Sequence, residues 1–302
     1  MRESAYAVTA YHSPFTIVII IRIIFLPKLL SAVMFRALIS LVAVTSVLAC
    51  PQHDYNTRAT DGLVKRADAP GDWTYAASNT WGTSGGDDTL CLTGMTQSPI
   101  NLPSGSFSKN HVPTFGYSAS VSGALFNWGY GPSFSLNRTN GVDYSANPCL
   151  TFDSETVYLL SWHTHIPSEH LINNVRTRAE LHLVHGDASG TPRGVIGLRI
   201  NPSSKSSPFI EQFISKTPHH DSSDRIQVDE LDMSLALKEV GSLKDFWTYK
   251  GSLTTPPCSE GLRWWVAGKV LEVSDSQMQA LLGVSVYSAR VEQMVWNHAI
   301  GV

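Results

Sequence analysis

The stretch Trp162-His163-Thr164-His165-Ile166-Pro167-Ser168-Glu169-His170, followed by Ala179-Glu180-Leu181-His182-Leu183-Val184-His185, decides how this chain is read. Both halves alternate in the manner of β-strands, in which residues two apart project from one face. His163 and His165 therefore point one way, while Trp162 and Thr164 point the other. In the second run Glu180, His182 and Val184 share a face. Antiparallel pairing across the short polar turn brings three imidazoles to one point. Three histidines on rigid strands, with no fourth protein ligand in view, have the shape of a catalytic zinc site with one open position. Glu180 supplies the carboxylate with which a ligating histidine holds its other ring nitrogen. A lone His-x-His in a strand is commonly a pair of half-buried side chains; joined to a nearby Glu-x-His, it points to a metal.

The chain has 302 residues, 43% of them hydrophobic and 16% charged, as in a soluble globular protein with room for one large domain or two small ones. The N-terminus is of another kind. An apolar run from Phe15 to Leu26 carries Arg22 and is broken by Pro27-Lys28; a second, from Ala37 to Ala49, follows Arg36 and ends in Val47-Leu48-Ala49. A basic residue, a short apolar stretch and a small terminal residue describe a secretory signal peptide. Residues 34–49 are expected to be that peptide, with Met34 as the start and residues 1–33 an extension of the gene model. Residues 50–66 are expected to be a propeptide or linker ending in the dibasic pair Lys65-Arg66, and residues 67–302 the folded domain. Neither apolar run reaches the ~20 residues of a membrane span. The mature protein is thus expected outside the cell, touching a membrane only if the leader is retained.

Residues 1–66 carry seven Lys or Arg against three Asp or Glu, so their removal takes the formal charge from −3 to −7. That balance argues against nucleic acid or an anionic membrane as partner. Cys50, Cys91, Cys149 and Cys258 favour at least one disulfide in an exported chain, and spacing alone does not choose the pair. Asn137-Arg138-Thr139 is a usable glycosylation acceptor, whereas Asn201 is followed by proline.

From Asp72 onward the composition becomes that of a domain. Trp73-Thr74-Tyr75 and Trp81 read as aromatic anchors in an irregular wrap, and Gln97-Ser98-Pro99-Ile100-Asn101-Leu102 as a loop or edge strand. Short alternating segments recur at 121–128, 134–137, 158–165, 180–185, 195–200 and 262–273, separated by turn residues, and argue a mainly β domain. Phe209, Ile210, Phe213 and Ile214 fall at helical spacing, while Ser274 with Gln277 forms a capping box for a helix that Gly283 should stop. Ser252-Leu253-Thr254-Thr255-Pro256-Pro257 is a hydroxyl-rich segment bounded by two prolines, in isolation an ordinary turn. Val184, Val195, Leu253, Leu262 and Trp264 read as core.

Taken together, these residues resemble the α-class carbonic anhydrases over about residues 72–297. The resemblance rests on Gln97-Ser98-Pro99-Ile100-Asn101, His163-x-His165, Pro167-Ser168-Glu169-His170, Glu180-Leu181-His182-Leu183-Val184-His185 and Gly251-Ser252-Leu253-Thr254-Thr255-Pro256-Pro257, with Pro257-Cys258-Ser259-Glu260-Gly261 similar to the secreted, disulfide-bearing branch. It implies a large, twisted, mostly antiparallel central sheet of about ten strands with a few short peripheral helices. It also implies reversible hydration of CO₂ to bicarbonate by a hydroxide on Zn²⁺, with no protein partner. The zinc ligands would be His163, His165 and His182. Glu180 would be the partner of His182, Thr254 the gate beside the metal, and Glu169 the acceptor of its hydroxyl. Val184, Val195, Leu253, Leu262, Trp264 and Thr255 would line the substrate pocket, with Tyr75 a cavity tyrosine. Cys91 and Cys258 would form the disulfide, leaving Cys149 unpaired, and His170 and His185 would be structural.

Two departures carry consequences. Gly131-Pro132-Ser133-Phe134 puts proline where the family's proton-shuttle histidine stands, so the proton must leave by water, external buffer or another group, with His111, His219 and His220 as candidates. Ser161 stands where the family has a glutamine bonded to the first ligand, and its shorter side chain is expected to hold His163 less firmly or through water. His163-x-His165-x-x-x-Glu169 also fits a cupin metal motif, in which Glu169 would itself be a ligand for iron or manganese. A non-catalytic binding protein on the same fold is the other alternative, although such relatives usually lack one or more of the three histidines.

Overall fold

The computed structural model describes residues 73–83, 86–117 and 120–302, together with two short paired strands, His12–Ser13 and Thr16–Ile17. Apart from those strands, the expected gene-model extension, signal peptide and propeptide lie outside the described residues. The chain divides into Met1–Thr45 and Ser46–Val302, and the second unit holds everything that follows.

An eleven-stranded sheet dominates this unit. In chain order its strands are β1 (Thr114–Gly116), β2 (Val121–Asn127), β3 (Pro132–Leu136), β4 (Cys149–Phe152), β5 (Glu155–His165), β6 (Ala179–Gly186), β7 (Pro192–Pro202), β8 (Arg225–Leu231), β9 (Phe246–Ser252), β10 (Glu260–Ala267) and β11 (Leu271–Val273). Across the sheet they run β8-β2-β3-β5-β6-β7-β10-β9, with β11 beside β7 and β4 joining β1 to β5. Every pairing is antiparallel except β7 with β10 and β7 with β11. This agrees with the expected mostly antiparallel sheet.

Period-two alternation sorts the side chains into two layers. Leu181, Leu183, Ile196, Leu198, Ile200, Trp162 and Trp265 face the main core, which is closed by Phe209, Ile210, Phe213, Ala236, Leu237, Met278 and Leu281. These closing residues come from α1 (Pro208–Glu211) and the turn after it, α2 (Ser234–Glu239) and α3 (Asp275–Gly283). The opposite layer holds Val195, Trp247, Tyr249, Leu253, Leu262, Trp264 and Val266. The histidines occupy that second layer.

The expected segment 158–165 is the C-terminal part of β5, and 180–185 and 195–200 are the centres of β6 and β7, each strand longer than the alternation alone marks. The single segment expected over 262–273 is two strands, because Gly268 and Lys269 leave the sheet between β10 and β11. Ser274 caps α3 as read: its hydroxyl accepts from Gln277 N–H at 3.2 Å and its own N–H donates to Gln277 Oε1 at 3.1 Å. Gly283 is the last helical residue, and Val284 caps the helix. The helical spacing around residues 209–214 resolves into one short α-turn and a 3₁₀ turn, Ile214–Lys216.

Cys91 and Cys258 form a disulfide with Cα atoms 5.0 Å apart, closing 167 residues of sequence, and Cys149 is free. Cutting so long a loop releases much chain entropy in the unfolded state. The Cys91→Ser/Cys258→Ser variant is expected to lose about 2–5 kcal/mol of unfolding free energy. Urea unfolding under non-reducing conditions measures this, and an unchanged midpoint would contradict it.

Candidate metal centre

Strands β5 and β6 pair so that His182 lies opposite His163 and Glu180 opposite His165. One ligand atom from each of His163, His165 and His182 falls within 4.8 Å of the others, and all three residues are buried. For His165 and His182 hydrogen bonds assign the second nitrogen. His165 Nδ1 donates to the Ser288 carbonyl at 2.7 Å, which leaves a buried Nε2 with no partner. His182 Nε2 donates to Glu180 Oε1 at 3.0 Å, which leaves Nδ1 unprotonated.

Burial lowers the proton affinity of all three imidazoles. His165 falls to about 4, and for His163 and His182 the neighbouring imidazoles add to the effect of burial. Three neutral nitrogens with an unpartnered lone pair among them form a donor set suited to a borderline-soft divalent cation. A second group, His170, Glu180 and His182, also lies close together, but its atoms are spent on one another.

Behind the ligands runs a polar network. Glu180 Oε1 accepts from His170 Nδ1 at 2.6 Å, and Oε2 accepts the His170 backbone N–H at 2.8 Å. His170 Nε2 bonds the Tyr249 hydroxyl at 2.7 Å, and that hydroxyl meets Ser98 Oγ at 2.9 Å. Burial alone would raise the Glu180 carboxyl, but His170 and the hydrogen bonds from His170 and His182 outweigh it and hold it well below the usual range. Glu169 behaves oppositely. Its Oε1 accepts the Arg290 backbone N–H at 2.8 Å and the Thr254 hydroxyl also favours its ionised form, yet burial pushes it up to about 7. Its Oε2 lies 3.6 Å from His165 Nε2 and 3.9 Å from His182 Nδ1.

A cavity opens beside His163 and His182, lined also by Val184, Val195, Leu253, Thr254, Thr255 and Trp264. Five of the six expected pocket residues are there. Leu262 is not among them, though it packs in the same apolar layer as Val195, Leu253 and Trp264. Thr254 sits in the loop after β9, which is pinned by Leu253 N–H to the Ser259 carbonyl (3.0 Å), Cys258 N–H to the Thr255 carbonyl (2.8 Å) and the disulfide. Ser161 is fully buried on β5, opposite Val184. Tyr75 places its ring edge-on to His165 at 6.1 Å.

Pro132 opens β3, buried, with Asn127 as its strand partner. Of the alternative proton carriers, His111 pairs with Asp153, and His219 meets Asp221 at 2.7 Å; none of His111, His219 and His220 lines the cavity. Asn137 is exposed.

Reading the sequence alone leaves out Ser288, Arg290, Tyr249 and Ser98 as parts of the centre, and Trp128, whose ring lies 5.4 Å from His163 and 5.5 Å from His165. Ser288 and Arg290 act on His165 and Glu169 through backbone groups, which any residue type supplies, so the sequence carries no signal for them.

The sequence profile of the eukaryotic-type carbonic anhydrases matches residues 76–298. A carbonic anhydrase of a Nostoc species is 32% identical over 203 residues, covering 66% of this chain and 72% of its own length. The α-carbonic anhydrase of Thermovibrio ammonificans, solved with the inhibitor sulfanilamide, superposes with a TM-score of 0.65 at 25% identity, over 76% of this chain and 97% of that one. A fungal α-carbonic anhydrase from Aspergillus oryzae gives 0.62 at 25% identity, over 72% and 89%. The chain belongs to the eukaryotic-type, or α, carbonic anhydrase family. It is a carbonic anhydrase, a lyase that acts on CO₂ and bicarbonate, which sets aside the cupin and the non-catalytic alternatives.

The depressed imidazoles set a pH dependence. A histidine held at about 4 in the fold and near 6.5 when unfolded contributes stability that is complete above pH 6.5 and lost as pH falls toward 4. Glu169 acts in the opposite sense over the same window, since its raised pKa costs stability as pH rises toward 7. His163, His165, His182 and His185 are all depressed, so the histidines outweigh it. Metal-free protein is expected to lose several kcal/mol between pH 7 and 4, of order 3 kcal/mol from His165 alone. Urea midpoints across that range read the slope, and His165→Asn should flatten it.

Proposed function

We propose that this chain hydrates CO₂ reversibly to bicarbonate and a proton at a zinc ion held by His163, His165 and His182. The observation that carries the reading is the convergence of three buried, neutral imidazoles within 4.8 Å, one with an unpartnered inward nitrogen. Zinc, when bound, lowers the pKa of its water to about 7, an effect for which carbonic anhydrases are the type case, and so supplies a nucleophile at neutral pH.

The remaining work falls to the chain. The Ser288 carbonyl and Glu180 fix the tautomers of His165 and His182, so that each offers a lone pair rather than a proton. Thr254 donates its hydroxyl hydrogen bond to the Glu169 carboxylate and therefore presents an oxygen lone pair to the reacting water, orienting it. A bound cation favours the ionised form of Glu169 that this role needs. CO₂ is apolar and asks for no hydrogen bond; Val184, Val195, Leu253 and Trp264 give it a dry wall beside the ligands.

One proton must leave per turnover. Proline at position 132 has nothing to titrate, and the titratable groups in the cavity lining are His163 and His182, both committed as ligands. The proton therefore passes to water and external buffer. Two further readings rest on the sequence: export through the leader at 34–49, and glycan attachment at the exposed Asn137.

Stopped-flow CO₂ hydration on the full chain, with metal content measured in parallel, tests the proposal. His182→Ala is expected to lose bound zinc and at least about a hundredfold in turnover. Wild-type turnover should climb with imidazole concentration. Pro132→His should raise it about tenfold or more in weak buffer and flatten that climb. Turnover of the wild type that is indifferent to buffer would refute the missing-shuttle reading.

A further inference from the structure

Strand β7 carries Val195, Gly197 and Arg199 on one face. Val195 lines the cavity. Gly197 lies against Glu180, since a Cβ at that position would stand 2.8 Å from Glu180 Oε1. Arg199 is the residue directly opposite Glu180 in the β6–β7 register. The three positions thus descend from the cavity past the carboxylate to a cation.

Arg199 is only 7% exposed. Its Nη2 donates to the carbonyls of Ala267 at 3.2 Å and Gly268 at 2.9 Å, its guanidinium lies 5.5 Å from the Trp247 ring, and its Nε has no hydrogen-bond partner. None of these contacts carries a full negative charge, and among the described residues no carboxylate forms a direct ion pair with it. A buried cation held this way costs desolvation unless a nearby charge offsets it. Burial lowers the guanidinium's proton affinity, and the Glu180 charge opposes that shift.

The groups facing Glu180 are few. His170 and His182 bond it directly, Tyr249 reaches it through His170, and Glu169 is the second carboxylate nearby. Arg290 is buried beside Glu169, with Nη1 on the Ser98 carbonyl at 2.7 Å, Nη2 on the Cys91 carbonyl at 2.9 Å, and its charge interacting with Glu169. Each of the two buried carboxylates thus has one buried arginine behind it.

We propose that Arg199 is a positioning residue of the metal centre: a fixed buried charge that counterbalances Glu180 and limits how much negative charge Glu180 passes through His182 to the bound cation. The proposal rests on the zinc reading above. It has a sign that a structural role lacks. Taking away a positive charge that shares the interior with a dication should make the site hold metal more tightly, whereas loosening the scaffold should release it. The same loss should raise the pH at which hydration is half-maximal, because less positive potential remains to favour deprotonation of water.

The test compares full-length wild type, Arg199→Met and Arg199→Lys. Zinc content is measured first, then zinc loss to a chelator, the pH profile of CO₂ hydration, and thermal unfolding. Arg199→Met is expected to lose zinc at least about threefold more slowly and to shift the half-maximal pH upward by about half a unit or more, the scale of one buried charge acting through a protein interior. Arg199→Lys, which keeps the charge, should follow wild type in both. Wild type that binds no zinc would overturn the metal reading and this proposal with it. Zinc-loaded wild type with a folded Arg199→Met whose profile is unshifted, or which loses zinc faster, would overturn this proposal alone. Should Arg199→Met not fold, an Arg199→Lys whose zinc loss or pH profile departs from wild type would count against the charge argument.

Discussion

Everything at the centre depends on one alignment, the pairing of β5 with β6 that sets His182 opposite His163. Side chains on a strand alternate with a period of two, so a slip of one residue would turn His182 and Glu180 into the main core and bring Leu181 and Leu183 out to the cavity side. The register is held from both layers. Leu181, Leu183, Ile196 and Leu198 are wholly buried on one side, and the Glu180 network occupies the other. A slip would strip leucines of their burial and leave a carboxylate without its donors, so the apolar core enforces the geometry of the polar site.

The site is also a balance of buried charge. Glu169 and Glu180 sit among the buried histidines His163, His165, His170 and His182 and the buried arginines Arg199 and Arg290, and most polar atoms between them are paired. Networks of this kind are rigid when satisfied and costly when broken. Two of the unpaired atoms are informative. His165 Nε2 and Glu169 Oε2 face each other without a hydrogen bond at 3.6 Å, and the first belongs to the three imidazoles among which a cation fits. The unspent lone pair of His165 is left for something that is not protein.

Much of this is legible in the sequence, and the reason is local. His-x-His and Glu-x-His declare their faces by strand periodicity, and the capping box of α3 is complete within four residues. The long central strands likewise stand out. The edge strand β8 does not, because its exposed face is polar and its alternation weak. β9 is hidden because Phe246–Tyr249 is buried without a clean apolar–polar alternation. Leu262 shows the limit of a shared pattern: its spacing from Trp264 puts it in the same layer, but alternation names the layer and not which of its members line the cavity. The carbonyl of Ser288 and the N–H of Arg290 could not be read from residue types at all.

Those last two groups reach the centre from far along the chain. Residues 288–290 lie in a segment with no regular secondary structure, separated from His165 and Glu169 by 123 and 121 residues of sequence, yet they hold the one through the Ser288 carbonyl and the other through the Arg290 N–H. The sheet alone therefore does not complete the reactive geometry. A strap laid across it does, and a change that freed the strap would unsettle the centre without touching a strand.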